Sequence, residues 1–247
     1  MHLRAATAIL AALALSLAAC GKSEDTSGAP AASEPVAKVA PPAGQAWADT
    51  IAVTPEGGYL MGNPAAPIKL VEYGALSCSH CAEFSETGFE KLRDEYINSG
   101  RVSFELRHFM LNPLDISATL LATCGAPETV IPLSEQFWGW QPNMFSNLQA
   151  AGDAQLQAAG NLPPAQRFGA IAQAAGMTAF FAERGIAADQ AAGCLADVNK
   201  ATALSNATQA ASEKGVTGTP WFFINGKDVG TQTWATLEPM LQNAGAR

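Results

Sequence analysis

Ile68-Lys69-Leu70-Val71-Glu72-Tyr73 alternates in character and is rich in β-prone residues, which predicts a strand. It breaks at Gly74 and runs through Ser77-Cys78-Ser79-His80-Cys81 into a helical pattern from Ser79 to about Asn98. There Phe84, Phe89, Leu92 and Tyr96 recur at threes, fours and fives, and Ser99-Gly100 supplies the stop. Arg101 to Phe109 alternates again through Val102, Phe104 and Leu106, with His108 out of pattern, and predicts a second strand. From Leu114 to about Glu213 the chain is rich in Ala, Leu and Gln, with interruptions at Pro127, Pro132, Pro142, Pro163-Pro164, Gly176 and Gly185. That block predicts roughly four to six short helices. Trp221-Phe222-Phe223-Ile224, a turn at Asn225-Gly226-Lys227, and Asp228-Val229-Gly230 predict a β-hairpin, Asn-Gly being a strong two-residue turn signal. Trp234 to Ala244 closes the chain as a helix.

The order is β-α-β, a long helical block, then β-β-α, so the class is α/β. With the block set aside, a compact open-sheet unit remains. The expected division is residues 51–112 for the first half of that unit, 113–213 for the helical insertion and 214–247 for the second half. Roughly 190 residues suit one domain with a single core. Cys78 and Cys81 fall where the first strand feeds the first helix, at a sheet's C-terminal edge, a favoured place for chemistry.

The chain of 247 residues opens differently. Residues 1–19 carry one Arg near the start, an Ala/Leu-rich run and small residues before Cys20, the layout of a secretory signal peptide. The other reading, a short uncleaved anchor, suffers because the run is short for a membrane span. Leu17-Ala18-Ala19-Cys20 resembles a bacterial lipobox, which makes Cys20 the expected lipidation site and the membrane a partner through that lipid. The expected location is therefore periplasmic, as a membrane-anchored lipoprotein, where disulfides form and persist. Residues 20–50 are expected to be the lipidated terminus and a mobile tether, since the stretch before Trp47 is polar, small and proline-rich.

With 14 Lys and Arg against 22 Asp and Glu, the formal charge is −8, which argues against a nucleic-acid partner. There are five cysteines. With Cys20 assigned to lipid, Cys78 and Cys81 form a C-x-x-C, and Cys124 and Cys194 remain as an expected structural disulfide in an oxidising compartment. Two buried free thiols are the alternative for that pair. At a helix start, free N–H groups and the helix dipole favour an anion, so Cys78 is expected to be the exposed, low-pKa attacking thiol and Cys81 the buried resolving one. His80 between them can favour the thiolate further. A structural zinc site would need a second ligand pair, and the mature histidines are only His80 and His108, so no metal is expected. An inert C-x-x-C disulfide fits the strand-then-helix context less well than a redox pair does. The aromatic run Phe137-Trp138-Gly139-Trp140 reads as core before it reads as a peptide groove.

Gly62-Asn63-Pro64-Ala65-Ala66-Pro67-Ile68-Lys69-Leu70-Val71-Glu72-Tyr73, then Cys78-Ser79-His80-Cys81, then Gly215-Val216-Thr217-Gly218-Thr219-Pro220-Trp221-Phe222-Phe223-Ile224-Asn225-Gly226 together resemble the DsbA family of protein-disulfide oxidoreductases. The resemblance spans roughly Tyr59 to the C-terminus. It implies a thioredoxin-like fold with a helical domain inserted between the βαβ and ββα halves, and no cofactor. It also implies that Pro220 is cis, preceded by Thr219, and faces the redox pair. From the residues alone an ordinary trans turn proline is favoured. Glu72 matches the acidic residue that this fold often buries beneath the second cysteine as a proton relay, a solvent-facing strand glutamate being the alternative. The departure is Ser79, where the best-known oxidases of the family carry proline before the histidine.

Three functions compete on this evidence. The first is an oxidase donating the Cys78–Cys81 disulfide to unfolded or reduced exported proteins and reoxidised by a membrane or small-molecule redox partner. It is favoured by His80 and by the resemblance. The second is a periplasmic reductase or isomerase kept reduced by a membrane partner. The third is a non-enzymatic thiol- or metal-binding lipoprotein, disfavoured by ligand supply and by the intact Cys78, Cys81 and Pro220 set.

Overall fold

The computed structural model describes residues 33–247, so the signal peptide and Cys20 lie outside the described residues. A six-stranded sheet forms the centre, with β1 (Ile51–Val53), β2 (Tyr59–Gly62), β3 (Ile68–Gly74), β4 (Val102–His108), β5 (Trp221–Ile224) and β6 (Lys227–Gly230) in the order β1-β2-β4-β3-β5-β6. β3 and β4 are parallel, and every other pairing is antiparallel. The short hairpin of β1 and β2 was not foreseen. Its first strand has three residues, too few to show a period.

β3 explains how the sheet positions chemistry. Its alternation sends Ile68, Leu70 and Glu72 to one face, where Ile68 and Leu70 join the main core with Phe84, Phe104 and Phe222. Val71 and Tyr73 face the other way, against Phe223, Val216 and Ala211. Glu72 thus occupies a position that the pattern reserves for an apolar side chain, and it is fully buried. The solvent-facing alternative for it is overturned.

Helix α1 begins at Ser79–Phe84 and carries on in wide π-type turns over Ser85–Phe89 and Leu92–Ile97. A π turn closes over five residues, and the step of five from Phe84 to Phe89 is its trace in the pattern. The helix lies close on the end of the chain: a Cβ on Gly88 would stand 2.7 Å from Trp234, the first residue of α8 (Trp234–Asn243). At β5–β6, Asn225 (φ 52°) and Gly226 (φ 77°) make the two-residue turn, so β6 starts at Lys227, one residue earlier than expected.

Between β4 and β5 run six helices: α2 (Pro113–Ala122), α3 (Val130–Gly160), α4 (Pro164–Ala174), α5 (Met177–Ala182), α6 (Ala188–Leu195) and α7 (Val198–Glu213). Asn112 caps α2, accepting from the Leu114 amide, with Pro113 at the first position. The breaks expected at Pro132 and Pro142 do not occur. Pro132 falls in the first turn of α3, where an N–H has no partner to lose, and Pro142 lies on the solvent side of the helix. The break comes at Gly152, whose φ of 75° leaves the helical region. Cys124 and Cys194 are joined in a disulfide between the end of α2 and α6.

The mobile tether expected as far as residue 50 is corrected for residues 33–50. The Val36 amide donates to the Gly245 carbonyl (2.8 Å), the Val39 amide to the Ser99 carbonyl (2.9 Å) and the Trp47 indole to the Val39 carbonyl (2.7 Å). Val36, Trp47 and Ala48 pack on the core, so this strap offsets its ordering entropy after all.

Candidate active site

Cys78 caps α1 and Cys81 lies one turn in. The Cys81 amide points at Cys78 Sγ (3.4 Å), and Cys78 Sγ reaches the Thr219 carbonyl at 3.2 Å. The Thr219–Pro220 peptide is cis, as the resemblance implied and the residues alone did not. Cys78 is only 8 % exposed, less than an attacking thiol was expected to be, because the Thr219 segment leans over it; Cys81 is sealed completely.

The two thiols are driven apart electrostatically. Hydrogen bonds from the Cys81 thiol, the Thr219 side chain and the amides of Cys81 and His80 outweigh partial burial and pull Cys78 down to about 5. Burial, with the bond to Cys78 and the charges of Glu72 and Cys78, pushes Cys81 well above the ordinary thiol range. The imidazole of His80 has no part in this. It is exposed and faces Glu83 at 3.4 Å, because the second residue of the helix points outward. His80 acts through its backbone amide, which corrects the electrostatic role expected for its ring.

Iodoacetamide alkylation of the reduced protein is therefore expected to titrate with a midpoint near pH about 5 and to be flat from about pH 6.5 to 8. Because the folded value lies below the unfolded one, ionisation of Cys78 favours the folded reduced protein above the ordinary thiol range, and that contribution is lost as pH falls through about 5. A midpoint near 9 would remove the stabilised thiolate.

Beneath Cys81 lies Glu72. Both its carboxylate oxygens are buried without a hydrogen-bond partner, and burial, then the charges of Glu135 and Cys78, hold its pKa well above the carboxylate range. At neutral pH it is a carboxylic acid, able to hand a proton to a departing thiolate.

The loop that carries Cys78 is held from the helical block by three buried side chains. From α2, Asp115 accepts from the Ser77 amide (2.7 Å) and hydroxyl (3.1 Å). From α3, the Trp138 indole donates to the Ala75 carbonyl (3.0 Å), and Gln141 Nε2 donates to the carbonyls of Leu76 (2.8 Å) and Cys78 (3.0 Å). Phe137 and Trp138 are core, as expected, but the tryptophan is also a clamp. Asp115 and Gln141 were not foreseen. One signal was available: Val130, Ser134, Phe137, Gln141 and Met144 follow a 4-3-4-3 spacing, which places two polar residues on the buried stripe of α3.

The thioredoxin family profile matches residues 54–243. Among solved structures, the protein-disulfide isomerase of Novosphingobium aromaticivorans is 32% identical, with a TM-score of 0.70 over 74% of this chain and 94% of that one. Wolbachia pipientis alpha-DsbA1, at 20% identity and a TM-score of 0.60 over 78% of this chain and 92% of that one, shares the fold. A curated Rickettsia prowazekii relative, named "Putative protein-disulfide oxidoreductase", is 25% identical over 175 residues, which are 68% of this chain and 54% of that protein. The chain spans about half the length of that relative. With a profile match that runs from just before β2 to the end of α8, and helices α2 to α7 set between the two halves of the sheet as in the DsbA structures, the chain belongs to the thioredoxin family.

Proposed function

We propose that the protein is a thiol–disulfide oxidoreductase that donates the Cys78–Cys81 disulfide to reduced exported proteins. The observation that carries this reading is the opposed pair of thiols: Cys78 pulled down to about 5 beside a Cys81 held up by burial. A stabilised thiolate stabilises the reduced form, which makes the disulfide a better oxidant. A substrate thiolate attacks Cys78 Sγ, the Cys78–Cys81 bond breaks, and Cys81 leaves as a thiolate. Neutral Glu72 gives it a proton. A second substrate thiolate then attacks the substrate sulfur of the mixed disulfide and releases Cys78 as its stable thiolate. The electrons now rest on Cys78 and Cys81, and a membrane or small-molecule oxidant must remove them.

The main competing reading, an isomerase or reductase, draws on the name of the Novosphingobium relative. Against it stands the low Cys78 value, which favours the reduced enzyme and therefore the outward flow of the disulfide. The signal peptide and lipidated Cys20 complete the proposal as an exported, membrane-anchored protein.

The test is the reduction potential of the Cys78–Cys81 couple by glutathione equilibration. Couples of this kind span roughly −120 to −270 mV, about 7 kcal/mol of driving force. A value in the upper third is expected. A value near −270 mV would sink the oxidase reading and leave the reductase.

A further inference from the structure

Glu72 solves one half of a proton problem and creates another. Once it has protonated Cys81 it is an anion sealed in the core, with no hydrogen-bond partner on either oxygen. It must regain a proton before the next turnover, and the sheet around it is apolar.

The helical block supplies a second carboxyl. Glu135 lies on α3, one turn before Trp138, so the two share a face of the helix. The Trp138 ring closes over the same spot as Glu72: a Cβ on Gly74 would stand 3.1 Å from Glu72 Oε1 and 3.2 Å from the Trp138 ring. Glu135 Oε1 is buried without a partner, and its Oε2 accepts from the Ser85 hydroxyl at 2.5 Å. Ser85 in turn lines a cavity of about 560 Å3 between α1 and α3, bordered by Ser79, Glu83, Glu86, Gln141 and Pro142. A chain of ionisable and hydroxyl groups thus leads from the thiol to an opening that does not pass Cys78.

Building on the oxidoreductase reading above, we propose that Glu135 and Ser85 form a second proton station, which reloads Glu72 from the cavity between α1 and α3. In each turnover Cys81 departs as a thiolate and takes the Glu72 proton. Glu135 passes its proton to the Glu72 anion, directly or through one water, and recovers one from the cavity by way of the Ser85 hydroxyl. One proton enters for each disulfide donated, which matches the proton that the substrate thiol loses to solvent when it ionises. Burial, against the Ser85 bond and the Arg93 charge, raises Glu135 to about 8, so it holds its proton at neutral pH. The groups facing the relay are Cys78 and Cys81 on α1, Ser85 and Arg93 on its continuing π turns, Glu72 on β3, and Glu83 and Glu86 at the cavity rim.

The test is the single-turnover oxidation of a dithiol peptide by the oxidised full-length protein, followed from pH 6 to 9 in light and heavy water. Glu135→Gln keeps the size of the side chain and an acceptor for Ser85. It should slow repeated turnover at least about tenfold while a first turnover, which uses the proton already on Glu72, stays near the wild-type rate. Ser85→Ala should slow repeated turnover less, with a smaller solvent isotope effect. Glu135→Asp should recover part of the rate. Wild-type repeated turnover and an unchanged pH profile in both Glu135→Gln and Ser85→Ala would overturn the relay. If Glu135→Gln slows the first turnover as much as the repeated ones, the residue only shapes the site, and the proposal falls. Should wild-type protein fail to oxidise the peptide while Cys78 still alkylates, the oxidoreductase reading itself fails.

Discussion

Replacing Cys78 with serine is expected to abolish thiol–disulfide exchange, and replacing Cys81 with serine to leave a protein that captures thiol partners and does not release them. The asymmetry follows from the site. At neutral pH Cys78, drawn down to about 5, is ionised, whereas Cys81 is buried, raised and held as a thiol. Only Cys78 lies where an incoming sulfur can reach it, and a serine hydroxyl there is neither ionised nor redox-active. In Cys81→Ser the attack on Cys78 survives, but the second thiol is gone. Attack within a well-oriented pair is worth an effective concentration of roughly 10⁵ to 10⁸ M, far above any thiol in solution, so the mixed disulfide persists. Capture itself should slow, since the Cys81 thiol is the largest of the influences that lower Cys78. Non-reducing gels of each variant mixed with a disulfide-bonded peptide decide the matter. Turnover by Cys78→Ser, or a rapidly cleared adduct in Cys81→Ser, would reverse the order of roles.

The second large effect is on stability. Cys124 and Cys194 are 70 residues apart in sequence, and closing a loop of that length restricts the unfolded chain by about 4 kcal/mol in the loop-entropy treatment. The bridge staples the end of α2 to α6, where Gln190 Nε2 also donates to the Cys124 carbonyl at 2.9 Å. The Cys124→Ser/Cys194→Ser variant is expected to lose about that much in urea unfolding while its Cys78 alkylation profile stays in place, because none of the groups that set the Cys78 value lies at the bridge. A loss below about 1 kcal/mol would mean that the unfolded chain already holds this loop nearly closed.

Local periodicity made the centre of the fold legible. β3, β4 and the β5–β6 hairpin follow from alternation and from Asn225-Gly226, and the start of α1 from the spacing that follows Cys78. The ends of the chain were harder to read. Residues 33–50 are small and proline-rich, and nothing local distinguishes a strap from a tether when the binding partners are Ser99 and Gly245, far away in sequence. The candidate site divides in the same way. Cys78, Cys81 and Pro220 carry their meaning in short motifs, whereas the clamps Asp115 and Gln141 and the carboxyl of Glu135 act on the loop and strand from another part of the chain. His80 shows the opposite failure: a residue in the right place for electrostatics, whose ring points the wrong way.

The strap also decides how force would travel through the molecule. Its contacts, with Ser99 before β4 and with Asn243 and Gly245 after α8, lie at the end of the sheet away from the loop of residues 75–78. Tension applied to the chain upstream of Ser33 would load these contacts first, peeling residues 33–50 from the core before any strand of the sheet felt shear. Cys78 and Cys81, held by α2 and α3 at the other end, are mechanically insulated from whatever tugs on the N-terminus, and the strap is the part built to yield.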